Sequence, residues 1–132
     1  MSKVRSFAAA LMVAPLLAAC AAPAERADVA PLRTMETGIG GVLVDEKGMT
    51  LYTYSKDPMG ASECSGRCAR RWPPVTATAA PSPGSELTVV QRQDGTKQYA
   101  WRGRPLYRWV KDKQPGQTTG HNLGEVWFAA RP

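Results

Sequence analysis

The sequence predicts an all-β, mainly antiparallel fold. It is a compact sandwich or partly open barrel built from two pseudo-symmetric repeats, with one short helical turn carrying a cysteine pair. Three observations predict it. Shifting the chain by 55 positions lays Gly48 on Gly103, Leu51 on Leu106, Tyr52 on Tyr107, Tyr54 on Trp109, Lys56 on Lys111, Asp57 on Asp112 and Trp72 on Trp127, without a gap over the stretch compared. The runs around these residues are rich in β-branched and aromatic side chains and are bounded by Gly, Asp and Pro turn signals. Every aromatic residue beyond the first twenty positions lies in one copy or the other, so both must build the core.

The elements follow in order. Gly41 to Asp45 and Met49 to Tyr54 flank Asp45-Glu46-Lys47-Gly48, a hairpin signal with glycine where a positive φ is often needed. Ser62 to Arg71 is the one stretch that reads as helical, and only briefly. Ala77 to Ser85 is rich in Pro, Gly and Ser, and can continue neither a helix nor a central strand, so it reads as a surface connection between the copies. Leu87 to Arg92 and Lys97 to Trp101 flank Gln93-Asp94-Gly95-Thr96, where Asp-Gly is a strong hairpin turn. Arg102-Gly103-Arg104-Pro105 turns the chain into Leu106 to Val110, and Glu125 to Ala129 closes the sheet. Each half is too small to bury its own apolar face, so one domain of two half-units is expected: residues 39–132, with repeat 1 over about 41–75, a linker over 76–85 and repeat 2 over about 86–130.

Ahead of this domain stands an export signal. Lys3 and Arg5 precede the apolar run from Phe7 to Ala19, which is too short to span a bilayer and is further weakened by Pro15. The run ends in Leu17-Ala18-Ala19-Cys20, which resembles the bacterial lipobox. The resemblance implies cleavage after residue 19 and acylation of Cys20, with multiple chains giving firm anchorage. Ala21 rather than Asp follows the cysteine, which points to the outer membrane, facing the periplasm or the surface. The alternative is an ordinary secretory signal that leaves Cys20 as a free thiol. Residues 20–38 are Ala/Pro-rich with scattered charges, and read as the lipidated terminus and a flexible tether. Loss of residues 1–19 takes Lys3 and Arg5 with it and lowers the net charge from +6 to +4.

Tyr52-Thr53-Tyr54-Ser55-Lys56-Asp57 and Tyr107-Arg108-Trp109-Val110-Lys111-Asp112 resemble the bacterial lipoproteins with a Yx(FWY)xxD motif, a secreted repeat of unknown function. The resemblance spans about residues 40 to 130 and takes in Cys64, Cys68 and Trp72-Pro73-Pro74-Val75. It implies location and architecture, and no reaction.

Two sets of residues carry candidate chemistry. Tyr52 and Tyr54 share one strand face, as do Tyr107 and Trp109. Asp57 and Asp112 each fall just before a Pro/Gly turn. Either each Asp binds backbone amides of its own turn, or the sets Tyr52, Tyr54, Asp57 and Tyr107, Trp109, Asp112 line a shared cleft for a cation or planar ligand. Cys64 and Cys68, in an exported chain, read first as a disulfide. Their i, i+4 spacing requires a distorted turn, which Gly66 permits. A redox-active pair is the competing reading.

No cofactor is predicted. Metal binding is not expected either: one Asp per copy makes no calcium cage, His121 lies far along the chain from Cys64 and Cys68, and no Met/His cluster joins it to Met49 or Met59 for copper. Nucleophile elbow, phosphate loop and His-Glu-x-x-His motifs are absent, so an enzyme is not expected. The basic balance needs no nucleic acid, since anionic headgroups or envelope polymers would suit it equally. The expectation is a non-enzymatic envelope lipoprotein. Its partners are the membrane, through the anchor, and an envelope polymer, a protein or a small molecule. The alternative is a redox or electron-transfer lipoprotein using Cys64 and Cys68 or a bound cofactor.

Overall fold

The computed structural model describes residues 10–12, 14 and 32–132. Cys20, residues 20–31 of the expected tether, and all of the export signal except residues 10–12 and 14 lie outside the described residues.

Among the described residues seven strands and one helix follow in the order β1 (Leu32–Thr37), β2 (Gly40–Asp45), β3 (Tyr52–Tyr54), α1 (Arg67–Arg71), β4 (Leu87–Gln91), β5 (Lys97–Trp101), β6 (Arg104–Pro105) and β7 (Trp127–Ala129). They form small antiparallel sheets, β1-β2, β3-β7 and β4-β5-β6, and not a closed barrel. Single bridges at Val44/Thr50, Tyr52/Tyr107, Pro74/Tyr107 and Thr76/Gln98 join them. The stretch expected as a strand from Leu106 to Val110 forms no continuous ladder: Tyr107 bridges Tyr52 and Pro74, while Leu106, Arg108 and Val110 N donate to Tyr99, Pro73 and Arg71 O, so its bonds are spread over different segments.

β1 corrects the tether boundary. Residues 32–37 pair with β2 throughout, from Leu32 opposite Asp45 to Thr37 opposite Gly40. Leu32 and Met35 pack against the two halves of the core. The polar Arg33, Thr34 and Glu36 face solvent, as is common on an edge strand, and this disguises the pattern.

The two repeats superpose their hydrogen bonds. Leu43 N donates to Ala130 O (2.8 Å) and Leu51 N to Leu43 O (2.9 Å), while Tyr99 N donates to Val75 O (2.9 Å) and Leu106 N to Tyr99 O (2.9 Å). In these pairs Leu51 and Leu106 keep the sequence offset of 55, but Leu43 and Tyr99 differ by 56. The turns explain the slip. Gly38-Ile39 closes the first hairpin with two residues, whereas Gln93-Asp94-Gly95 closes the second with three. The next turn reverses the difference, with Glu46 to Gly48 in the first copy and only Arg102-Gly103 in the second. Asp94 Oδ1 secures the longer turn by accepting from Thr96 N (2.9 Å) and Thr96 Oγ1 (2.6 Å).

Alternation along the strands produces two buried layers. Val42, Val44, Tyr52, Tyr107 and Ala129 join Trp72, Trp109, Trp127 and Cys64 on one face. Leu43, Leu51, Leu106 and Ala130 join Val75, Leu87 and Tyr99 on the other. The helical stretch shrinks to the five residues of α1, introduced by Gly66 at φ 56°. That turn brings the Cα atoms of Cys64 and Cys68 to 5.2 Å, and the two sulfurs are bonded.

Candidate functional site

The repeats meet where Tyr52 and Tyr107 exchange backbone hydrogen bonds, N to O at 2.8 and 2.9 Å. A pseudo-twofold axis passes between them. Their phenols then cross over: Tyr52 Oη donates to Asp112 Oδ2 and Tyr107 Oη donates to Asp57 Oδ2, each at 2.6 Å. The second oxygen of each carboxylate holds its own loop. Asp57 Oδ1 accepts from Glu63 N (2.7 Å), and Asp112 Oδ1 accepts from Thr119 N (3.1 Å) and Thr119 Oγ1 (2.6 Å). Tyr52 Oη also accepts from Gly120 N (3.2 Å), and Tyr107 Oη shares a hydrogen bond with Ser62 Oγ (2.7 Å).

The amide-binding half of the expectation for the aspartates therefore describes one oxygen of each. The shared cleft does not form from these groups. Both tyrosines are 0% exposed, and Asp57 and Asp112 are 7% and 6% exposed, so phenol and carboxylate serve each other as partners. The arrangement is an inter-repeat clasp.

Arg92 is a further member that the sequence does not advertise. Its guanidinium donates to Ser62 Oγ (2.8 Å), Gln98 Oε1 (2.8 Å) and Cys64 O (2.7 Å), and Gln98 Nε2 donates to Leu106 O (2.7 Å). In an alternating strand Arg92 reads as a solvent-facing residue, and the one-residue slip hides that buried Gln98 stands where the first copy has Val42.

Burial shapes the ionisation of the clasp. It pushes the phenols of Tyr52 and Tyr107 well above the usual tyrosine range, and the carboxylate facing each adds to the rise. Burial also raises Asp57, against the lowering by Tyr107, the Glu63 amide and Arg92. A phenol whose pKa is higher in the folded state contributes stability that is whole below about pH 10 and is lost as pH rises further. Stability is thus expected to fall steeply above pH 10. Thermal melts across the alkaline range, followed with phenolate absorbance, should show Tyr52 and Tyr107 ionising only as the fold is lost. Ionisation of both within a fully folded protein would remove the clasp.

Beneath the clasp four rings stack as Tyr54, Trp127, Trp72 and Trp109, with centroid separations of 4.3, 3.9 and 4.2 Å. Tyr52 stands edge-on to Trp72 (5.3 Å) and Tyr107 edge-on to Trp127 (5.1 Å), so each aromatic contact has its counterpart in the other repeat. Gly120 fits between them. A Cβ there would lie 2.7 Å from Trp72 Cη2, 3.0 Å from Tyr52 Cε1 and 3.1 Å from Trp109 Cγ. Rings wedged in a stack cannot give way, so Gly120→Ala is expected to cost about 1 to 3 kcal/mol, read as a drop of roughly 4 to 8 °C in melting temperature per kcal/mol. An unchanged melt would mean that the loop moves aside freely.

A groove of about 420 Å³ opens on the same axis, with Trp72, Trp109 and Trp127 in its lining. One wall is α1, presenting Arg67, Cys68 and Arg71, and the facing wall is Leu123, Gly124 and Val126. At the repeat offset Cys68 corresponds to Leu123, Arg71 to Val126 and Trp72 to Trp127. The walls are therefore equivalent in position and opposite in character, one cationic and one apolar. Lys111 Nζ adds a charge 6.0 Å from the Trp109 ring centroid. Of the six candidate ligand residues only Trp109 lines this groove. Tyr54 covers Trp127 at the other end of the stack, and Tyr52, Asp57, Tyr107 and Asp112 form the clasp. His121 is turned to its neighbours, with Nδ1 accepting from Ala129 N (3.1 Å). Among the described residues no group of three or more His, Cys, Asp or Glu side chains is placed to hold a metal ion.

The model of a family described as a secreted repeat of unknown function matches the chain twice, at residues 33–76 and 88–131. The chain belongs to this family. No curated protein and no solved structure matches it. The two matches of the secreted repeat are the two halves related by the axis. The first starts within β1, so the repeat includes the strand that the tether boundary left out.

Proposed function

We propose that the protein is a bacterial envelope lipoprotein, exported on residues 1–19 and anchored through acylated Cys20. Its folded part is a non-enzymatic binding module that uses the groove on the repeat axis. One observation carries this reading. The polar groups of the Tyr/Asp sets are consumed by each other, while the groove beside them offers three indoles, a cationic wall without hydrogen-bond partners among the described residues, and an apolar wall. The secreted character of the family supports an envelope location, and Ala21 after Cys20 favours the outer membrane. The partner is an envelope polymer, a protein or a small molecule.

Cys68 lies in the groove lining, and this favours a second reading in which the Cys64–Cys68 bridge exchanges electrons with whatever docks there. Purification from the native envelope tests both. Intact mass is expected to show a lipid-modified Cys20 as the first residue and one intact bridge, with no chromophore in the absorption spectrum. An unmodified Cys20 would overturn the anchor. A bound chromophore, or a bridge that titrates at the potential of cellular thiols, would replace binding by redox chemistry.

A further inference from the structure

We infer that the groove binds a planar organic anion, an aromatic ring carrying a carboxylate, sulfonate or phosphate. The anionic group sits on Arg67 and Arg71, and the ring rests among the indoles and Leu123. This rests on the reading of the groove as the binding face and names the class of its ligand.

The first support is the pattern of arginine partnerships. Arg33, Arg92, Arg102, Arg108 and Arg131 all donate hydrogen bonds within the fold. Among the described residues Arg67 and Arg71 donate none and form no ion pair; Arg70 and Arg104 share this lack, but of the four only Arg67 and Arg71 line the groove. They stand four apart on one face of α1, where like charges repel and gain nothing locally. The second support is the internal comparison. Asn122 and Val126 hold the equivalent places in the second repeat, so the repeat fold does not require cations there. Two guanidiniums on one face match the geometry of a carboxylate or oxyanion.

The third support is the rest of the lining. Apolar and aromatic surface, with a few convergent polar groups in a volume of this size, suits a small molecule. The lining residues of the facing wall, exposed Leu123 and Gly124 with half-buried Val126, carry no charge, and the carboxylate on that segment, Glu125, stands outside the lining, so this side accepts a ring and leaves the anion the arginine side to bind. A purely apolar ligand would leave both guanidiniums idle, and a small inorganic anion would leave the indoles idle. An aromatic anion engages both.

The test uses the full chain in detergent with two probes of one shape, 1-naphthoate and neutral 1-naphthamide. The readout is the set of indole N–H resonances, with Trp101 as the internal control outside the groove. Naphthoate is expected to shift Trp72, Trp109 and Trp127 and leave Trp101 in place. It should bind about tenfold or more tightly than the amide, and its affinity should fall as salt rises. The double substitution Arg67→Gln with Arg71→Gln should bring naphthoate down to the level of the amide and leave the amide unchanged. Equal affinities, or naphthoate binding indifferent to the double substitution, would overturn the anionic class while the groove stands as a binding face. Failure of both probes to move the three groove indoles would overturn both.

Discussion

Replacing Trp72 by alanine is expected to lower stability by about 3 to 5 kcal/mol, the largest effect of any single change in this fold. The ring is buried between Trp127 and Trp109, with Tyr52 edge-on to it. Removal therefore breaks three aromatic contacts at once, and each is worth about 0.5 to 1.5 kcal/mol beyond the area it covers. The cavity would open on the axis, where neither repeat alone has side chains to fill it. For a domain near a hundred residues the loss amounts to a fall of roughly 12 to 40 °C in the melting temperature, followed by circular dichroism. Such a loss approaches the whole stability of a small domain. A fall of only a few degrees would show that the stack decorates the junction and does not support it.

The second large effect is expected from Asp112→Ala. It strips the acceptor from the buried Tyr52 hydroxyl and, at the exposed Thr119, from the amide and the hydroxyl as well. Each orphaned buried group costs about 1 to 3 kcal/mol. We expect a net loss of about 2 to 3 kcal/mol, most of it at the Tyr52 hydroxyl, because Thr119 already reaches water. Asp112→Asn, which keeps the acceptor oxygen, should recover part of it. A double-mutant cycle with Tyr52→Phe isolates the phenol to carboxylate contact, and a coupling energy near zero would mean that the two groups merely lie side by side. Naphthoate binding to the folded Asp112→Ala protein is expected to be unchanged. A loss of binding without loss of stability would return the aspartate to the role of a ligand contact.

Much of this architecture was legible in the residues. Turn chemistry marked both hairpins, and the ungapped match from Gly48 to Trp72 against Gly103 to Trp127 identified the two halves and the pairing of Tyr52 with Tyr107 in kind. β1 was missed, although the same shift lays Leu32 on Leu87 and places Leu32 to Thr37 on a stretch already recognised as a strand. Its surface charges outweighed that signal. The crossing of the clasp was not legible at all. Strand parity tells which residues share a face, but only the sheet connections decide that Asp57 meets Tyr107 and not the tyrosine five residues before it. Arg92 and Gln98 were hidden for a related reason, since a longer turn before β5 and a shorter one after it displace the match by one residue where buried and exposed positions alternate.

The reciprocity of the clasp makes each repeat a protomer without its partner. Alone, one copy would expose a tyrosine and an aspartate whose mates lie on the other, together with half of a ring stack. That surface is self-complementary, the property that defines an isologous dimer. Joining two copies in one polypeptide keeps them at a high local concentration and releases them from having to be identical. The halves have diverged accordingly: one acquired the bridged helix with its arginines, the other Arg92 and an apolar wall. A true homodimer would carry both walls alike, so a groove with two unlike sides is something only the fused chain can possess.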